Sequence, residues 1–275
     1  MSSTTHPKGM QTPIATTKAG GENRQDVHRR HQVEVVLWVL GLVVFIASCF
    51  VIHTHPKPYP FDLSTTQTIQ GLHPWPWVNP VLNFPSTLNN PVPSEVALGV
   101  WLIGMLLVAL VFWLKHKGWT ALSWLQAAIF LVITVMSSAG LNVVLDELVG
   151  RPRPNPHTEP IHVYTSIVPF PSYPSGHTEH DVAYYGFLLY LSLSRPVRQW
   201  KYRWLLLPLQ LYAVFDLLTI GYSRILQGDH WFTDVLGGYL EGAVYLFFFI
   251  FLYRSVTTIV ARWRAKKLTQ QPART

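Results

Sequence analysis

The chain alternates between long uncharged stretches and short segments in which the charged residues are concentrated. Three stretches contain no Asp, Glu, Lys or Arg: residues 35–52, 96–114 and 118–145, which are 18, 19 and 28 residues long. A helix needs about 20 mostly apolar residues to cross the roughly 30 Å hydrocarbon core of a bilayer. The pattern therefore predicts that each of these stretches is a membrane-spanning helix.

Three further apolar stretches are interrupted by only one or two charged residues, at about 177–193, 204–222 and 234–253. The sequence thus predicts an all-α, polytopic membrane protein with a six-transmembrane-helix bundle in residues 33–255. Residues 1–32 are polar and are predicted to be a disordered cytoplasmic tail, and residues 256–275 a basic cytoplasmic tail. Trp and Tyr lie near several predicted helix ends, as in an interfacial aromatic belt.

The distribution of basic residues predicts the orientation of the bundle. Lys and Arg number 21 against 14 Asp and Glu, which gives a net charge of +7. If the N-terminus is cytoplasmic, the inner segments hold 17 of these 21 residues, and the positive-inside rule then places both termini in the cytoplasm. Because the basic residues flank the spans and form no single patch, a nucleic-acid partner is not expected. The oligomeric state is left open.

Only 13% of the residues are charged, against about 25% in an ordinary soluble domain, which excludes that class. The single cysteine excludes a disulfide scaffold. Residues 53–94 form a Pro-rich outer segment with Trp75 and Trp77, and proline opposes regular helix. We therefore predict an irregular loop that either packs over the bundle or forms a lipid-facing lip beside a site.

Three polar clusters fall at the predicted outer ends of helices. They are Gly-Arg-Pro-Arg-Pro at 150–154, Pro-Ser-Gly-His at 174–177, and the segment 223–234. The predicted crossings place all three on one face of the membrane. Arginines such as Arg151 and Arg153 offer a planar, permanently charged fork that can bind two phosphate oxygens at once.

The other two clusters also suit a phosphoryl group. Ser175 and Gly176 at a helix start would present free backbone N–H groups to an anion. His230 and Asp234 are four residues apart and share a helix face, so the carboxylate could hold one imidazole nitrogen and leave the other free to attack. His177 supplies a second imidazole as an acid for the leaving oxygen.

With these residues the sequence resembles the type 2 phosphatidic acid phosphatase family, which shares its site with bacterial acid phosphatases and vanadium haloperoxidases. The family pattern is Lys-x6-Arg-Pro, then Pro-Ser-Gly-His, then Ser-Arg-x5-His-x3-Asp. The second motif is present at 174–177 and the third at 223–234, and the first Arg-Pro falls on Arg153 and Pro154. The resemblance extends over about residues 95–255 and suggests the membrane-bound branch of the family.

The resemblance implies a role for each motif residue. His230 would be the nucleophile that forms a phosphohistidine, Asp234 would orient it, and His177 would protonate the leaving group. The phosphoryl oxygens would be held by arginines and backbone amides, at Arg153, Arg224, Ser175 and Gly176. Because arginines would neutralise the charge, neither a metal ion nor another cofactor is expected.

One position departs from the family pattern. The motif lysine should lie seven residues before Arg153, where this chain has Asp146. Three explanations stay open: Arg151 compensates as an additional phosphate ligand, Asp146 turns away from the site, or the activity is weakened or altered.

The residues and the resemblance together predict a metal-independent hydrolase. Its substrate would be a lipid phosphomonoester or diphosphate, reached from the outer face of a bacterial inner (plasma) membrane. A lipid phosphotransferase using the same residues, and a non-catalytic lipid-binding membrane protein, are the alternatives.

Overall fold

The computed structural model describes residues 24–72, 74–166, 168–195 and 197–269, and no strand occurs in these ranges. Eight α-helices follow one another along the chain: α1 (Arg24–Thr54), α2 (Pro60–Gly71), α3 (Val78–Leu88), α4 (Pro91–Leu114), α5 (Gly118–Val149), α6 (Gly176–Leu193), α7 (Leu207–Leu226) and α8 (Phe232–Thr269). Two short 3₁₀ helices, Val197–Gln199 and Arg203–Leu206, precede α7. The predicted all-α fold is confirmed.

The chain divides into two units, of which the first ends at Leu37 and the second begins at Trp38. The described part of the first unit is the beginning of α1. The second unit holds the rest of the fold and every residue of the predicted site.

Five helical segments are long and apolar enough to cross a membrane: His28–Thr54, Pro91–Leu114, Gly118–Val149, Arg203–Leu226 and Phe232–Lys267. They correspond to five of the six predicted spans and support an integral membrane protein. The remaining helix, α6, is not among them. It carries Glu179 and Asp181 in its first two turns and packs against α5, α7 and α8, so most of its side chains face protein.

The apolar core lies where α5, α6 and α8 meet. Leu131 of α5 and Phe187 of α6 are completely buried there, and Tyr253 of α8 packs edge-on against Phe130 and Phe187. Such aromatic pairs prefer edge-to-face geometry. The core thus fixes α6 at the centre of the second unit, with its first residue at the predicted site.

The structure corrects the prediction for residues 53–94, because two helices, α2 and α3, form within this segment. Pro60 is the first residue of α2 and Pro91 the first residue of α4, where the missing N–H costs no helical hydrogen bond. Pro85 does lie inside α3, which is only 11 residues long. The prolines therefore start helices here more often than they interrupt them.

The prediction of disorder in the N-terminal tail needs correction where that tail is described. α1 begins at Arg24 and α8 continues to Thr269, so residues 24–32 and 256–269 are helical. Residues 1–23 and 270–275 of the predicted tails lie outside the described residues.

Candidate active site

The three polar clusters converge at one end of the bundle. Arg153, four residues after α5, places its Nη1 atom 3.2 Å from Nε2 of His230, which lies between α7 and α8. The backbone N–H of Ser175, at the start of α6, donates to the carbonyl of Asp234 at 3.0 Å. Three segments that are distant in the sequence thus meet as the topology predicts.

His230 is held as a neutral imidazole whose Nε2 lone pair accepts a hydrogen bond from Nη1 of Arg153 at 3.2 Å. Its Nδ1 lies 2.8 Å from the carbonyl oxygen of Ser172, which can only accept, so Nδ1 carries the proton and Nε2 the lone pair. His230 is only 1% exposed. This burial, followed by the charges of Arg153 and Arg224, holds the pKa of His230 well below its usual range. Such an imidazole can act as a nucleophile through Nε2.

The expected hydrogen bond from His230 to the carboxylate of Asp234 is not formed. Oδ2 of Asp234 lies 3.8 Å from Nδ1 of His230, and it accepts instead from the backbone N–H of Trp231 at 2.8 Å. Oδ1 of Asp234 pairs with Arg151. A backbone carbonyl therefore orients the imidazole, and Asp234 contributes a nearby negative charge.

Arg153 is fixed on the side of the site where His230 lies. Its Nε donates to the carbonyl of Phe170 at 2.9 Å and its Nη1 to the carbonyl of Asp229 at 3.1 Å. Burial lowers the pKa of Arg153, whereas three nearby carboxylates raise it: Asp229, Asp146 and Asp234. An arginine remains charged in either case, so Arg153 presents a fixed cation beside Nε2 of His230.

Arg224 at the end of α7 is almost completely buried and is held from two sides. It forms an ion pair with Asp229, and its Nη1 donates to Ser86 at 2.5 Å and to Gln227 at 2.9 Å. Its Nε is buried and has no hydrogen-bond partner among the described residues. The second motif arginine is thus rigidly placed with one donor unused.

The beginning of α6 differs from the predicted anion site. Ser175 is completely buried, its N–H is bonded to Asp234, and its Oγ accepts from Thr178 at 3.0 Å. The amide of Ser175 is therefore occupied by the protein itself. A Cβ on Gly176 would lie 2.6 Å from Oδ1 of Asn142, so glycine permits close packing of α6 against α5.

His177, in the first turn of α6, is half-buried and lies close enough to His230 for charges on the two rings to interact. Its Nε2 is buried without a hydrogen-bond partner among the described residues. Asn89, directly after α3, donates to the carbonyl of His177 at 2.9 Å. The second imidazole is therefore held near His230 by its backbone, with a ring nitrogen unused.

The structure contradicts the expectation that Arg151 binds phosphate. Arg151 is 0% exposed, and its guanidinium pairs with Asp62 of α2 at 2.7 Å and with Asp234 of α8. Its Nη1 also donates to Thr233 at 2.6 Å. With its donors engaged in this way, Arg151 cannot replace the missing motif lysine.

Asp146 lies one turn before the end of α5 and close enough to Arg153 to act on its charge. Its Oδ1 is buried and has no hydrogen-bond partner among the described residues. Asp146 also follows buried Asn142 by four residues, which places both on the helix face that packs on α6. The side chain therefore does not turn away from the site.

Sequence reasoning missed the polar groups that support the motif residues. Several lie in the segment 53–94 and form hydrogen bonds with the motif residues or their neighbours. Asp62 accepts from Arg151, Ser86 from Arg224 and Asn83 from Ser223, and Asn89 donates to His177. The one available signal was that Asp62 is the sole acidic residue in this segment. The α2–α3 segment, residues 60–88, is thus part of the wall of the site.

No group of three or more His, Cys, Asp or Glu side chains within the described ranges has an arrangement that could hold a metal ion. A pocket of about 340 Å³ opens beside Arg153, lined by residues 150–155 and 168–171. Val168 and Phe170 expose apolar surface there. The opening thus combines one fixed cation with apolar walls.

Comparison with known proteins bears on the family and the fold. A model of the PAP2 superfamily matches residues 126–258. The fold is similar to a crystal structure described as the first transmembrane PAP2-type phosphatidylglycerolphosphate phosphatase, from Bacillus subtilis. That likeness has a TM-score of 0.58 and 20% identity, and covers 80% of this chain and 96% of the other. No curated protein matches the chain in sequence. All three motif clusters lie within the matched segment, and the resemblance of this chain to the PAP2 phosphatase family is confirmed.

Proposed function

We propose that this protein is a membrane-bound lipid phosphatase that hydrolyses a lipid phosphomonoester or diphosphate through a phosphohistidine at His230. The observation that carries the proposal is the pairing of a neutral, buried imidazole with a fixed cation at its reactive nitrogen. Nε2 of His230 lies 3.2 Å from Nη1 of Arg153. A phosphoryl oxygen on the guanidinium would bring phosphorus towards that nitrogen.

In the first step Nε2 of His230 attacks phosphorus, and the bond from phosphorus to the leaving oxygen breaks. His177, as the imidazolium, donates a proton to that oxygen and becomes neutral. In the second step His177 removes a proton from water, the water oxygen attacks the phosphohistidine, and inorganic phosphate leaves as the bond to Nε2 breaks. Each bond change is balanced, and the enzyme returns to its starting state.

Charge develops on the equatorial phosphoryl oxygens, and two arginines are available to bind them. Arg153 and Arg224 would hold these oxygens by charge-assisted hydrogen bonds, to which the unused Nε of Arg224 would contribute. The nearby carboxylate of Asp234 would stabilise the positive charge that forms on His230. No step needs a metal ion, since the arginines supply the positive charge.

The opening beside Arg153 supports a lipid substrate. Phe170 is 58% exposed and Val168 is 41% exposed, and both line the same pocket as Arg153. A phosphate group on the guanidinium would then lie next to apolar surface that suits a lipid chain. The particular lipid is not selected by these contacts.

We place the site at the outer face of the membrane, with six spans and both termini in the cytoplasm. In this arrangement α6 is the fourth span along the chain, and it is surrounded by α5, α7 and α8. The end of α5, the beginning of α6 and the α7–α8 connection then face outward together. The basic residues of the inner connections support this orientation.

The function is tested with the full-length protein in lipid nanodiscs, supplied with a panel of lipid phosphates in the presence of EDTA. We expect phosphate release by the parent chain and none by His230→Ala, with His157→Ala, an exposed histidine, as the matched control. A labelled substrate should leave acid-labile label on the parent chain only. Equal turnover by His230→Ala would refute the mechanism, and transfer of the label to a second lipid would instead identify a phosphotransferase.

A further inference from the structure

Asp62 lies in α2, outside the segment 126–258 that matches the family, yet it is completely buried at the site. Its Oδ2 accepts from Nη2 of Arg151 at 2.7 Å and from the N–H of Tyr59 at 3.1 Å. Its Oδ1 accepts from the N–H and from the hydroxyl of Thr233, both at 2.9 Å. One carboxylate therefore ties α2 both to Arg151 and to the first turn of α8.

Arg151 connects Asp62 to the residue beside the nucleophile. Its Nη1 pairs with Oδ1 of Asp234, while the other carboxylate oxygen, Oδ2, lies 3.8 Å from Nδ1 of His230. All three members of the Asp62–Arg151–Asp234 triad are 0% exposed. Charges removed from water in this way interact strongly, and one guanidinium here serves two carboxylates.

We propose that Asp62 is a positioning residue of the active site, which acts through Arg151 to fix the carboxylate of Asp234 beside His230. This inference rests on the proposed function. Without the charge of Asp62, Arg151 would be paired with Asp234 alone, and its positive charge near His230 would be less completely balanced. Asp62 therefore sets both the place of Asp234 and the electrostatic potential at the nucleophile.

Several charged or titratable groups face His230 from the elements around it: Arg153, Arg224, Asp229, Asp234 and His177. The triad, which includes Asp234, carries one negative charge in total, because Asp62 and Arg151 balance each other. Removal of the Asp62 charge should lower the pKa of His230 further, and removal of the Arg151 charge should raise it. The two changes thus have opposite signs, which damage to the fold alone would not produce.

The test uses Asp62→Asn, Arg151→Gln and the double variant, each in the full chain. We expect kcat to fall about tenfold in Asp62→Asn, and the acid limb of kcat/KM to move to lower pH by about half a unit. In Arg151→Gln the limb should move to higher pH, and in the double variant it should return towards that of the parent chain. Glu95→Gln, which removes an exposed charge at the start of α4, is the control and should leave the limb unmoved.

The inference would be overturned if the acid limb of kcat/KM lies at the same pH in both single variants as in the parent chain. It would also be overturned if the limb lies at the same pH in Arg151→Gln and in the double variant. If Asp62→Asn does not fold, the comparison of Arg151→Gln with the double variant decides alone. A parent chain that releases no phosphate overturns the proposed function, and this inference with it. If the parent chain releases phosphate but the acid limbs of the variants lie at the same pH as that of the parent chain, only this inference is overturned.

Discussion

The carbonyl oxygen of Ser172 lies 2.8 Å from Nδ1 of His230, whereas the nearer carboxylate oxygen of Asp234 lies 3.8 Å away. The tautomer of the nucleophile is therefore set by the backbone and not by the acidic residue of the motif. Because Ser172 and Asp234 have different roles beside the imidazole, we expect different effects when Asp234 and His230 are replaced.

Replacement of Asp234 should be milder than replacement of His230. In triads where a carboxylate alone sets the tautomer, its change to the amide costs about 10⁴-fold in kcat. Here Ser172 keeps the proton on Nδ1, so Asp234→Asn should lower kcat by about 10–100-fold, from the loss of charge stabilisation. Steady-state kinetics of Asp234→Asn beside His230→Ala would check this. A loss as complete as that of His230→Ala would show that Asp234 is as essential as the nucleophile.

The activity should persist into mildly acidic solution. His230 must be neutral to attack, and its pKa is held well below the usual value of about 6.5, first by burial and then by Arg153 and Arg224. A lowered pKa keeps the imidazole neutral to lower pH, so the acid limb of kcat/KM should lie below pH 6.5. Arg153→Met should move that limb upward. A limb at or above pH 6.5 in the parent chain would contradict this.

The helical fold could be predicted from the sequence because an uncharged stretch as long as 118–145 indicates a helix that can cross a membrane. The convergence of His177, Arg224 and His230 was also predictable, since helix order alone brings their segments to one face. α6, the further span that we propose, has a weaker apolar signal, because polar residues of a membrane helix can face the protein interior.

The support of the site could not be predicted, because its contacts are made by backbone atoms or by residues far apart in the sequence. The carbonyl of Ser172 carries no side-chain signal, and Asp62 precedes its partner Arg151 by 89 residues. The sequence also favoured Arg151 as a phosphate ligand, because an arginine beside a motif arginine does not reveal which carboxylates surround it.

Asp146 should weaken the binding of a doubly charged phosphate. When ionised, its carboxylate acts on Arg153 and adds one negative charge near the phosphoryl oxygens, which Asp146→Asn would remove. We expect KM for a lipid phosphomonoester to fall about fivefold, corresponding to roughly 1 kcal/mol of like-charge repulsion. The control is Glu147→Gln, the exposed neighbour on the same helix. An unchanged KM in Asp146→Asn would mean that its charge is not felt by the substrate.

Ser86 should be necessary for full activity, although it lies outside the family motifs. Its hydroxyl accepts from Nη1 of buried Arg224 at 2.5 Å. A hydrogen bond to a charged group contributes about 1.5–3 kcal/mol, so Ser86→Ala should lower kcat/KM by about 10–100-fold. Thr87→Val, at the exposed adjacent position, should have little effect. Similar kinetics for the two variants would argue against a role of α3 in holding Arg224.

Gly238 should be necessary for the packing of α8 against the beginning of α6. A Cβ at this position would lie 2.5 Å from the carbonyl oxygen of Ser175 and 3.0 Å from Cβ of Thr178. Because a backbone atom cannot move aside as a flexible side chain can, Gly238→Ala should destabilise the protein by about 1–3 kcal/mol. Gly140→Ala, in α5, is the control, because nothing lies within 4 Å of its Cβ position.

The single cysteine, Cys49, allows unfolding to be followed with a thiol-reactive dye. The unfolding midpoint should fall in Gly238→Ala and not in Gly140→Ala, and phosphate release should fall with it, because the shift displaces Ser175 and the adjacent Asp234. Equal midpoints would show that α6 and α8 can separate without cost.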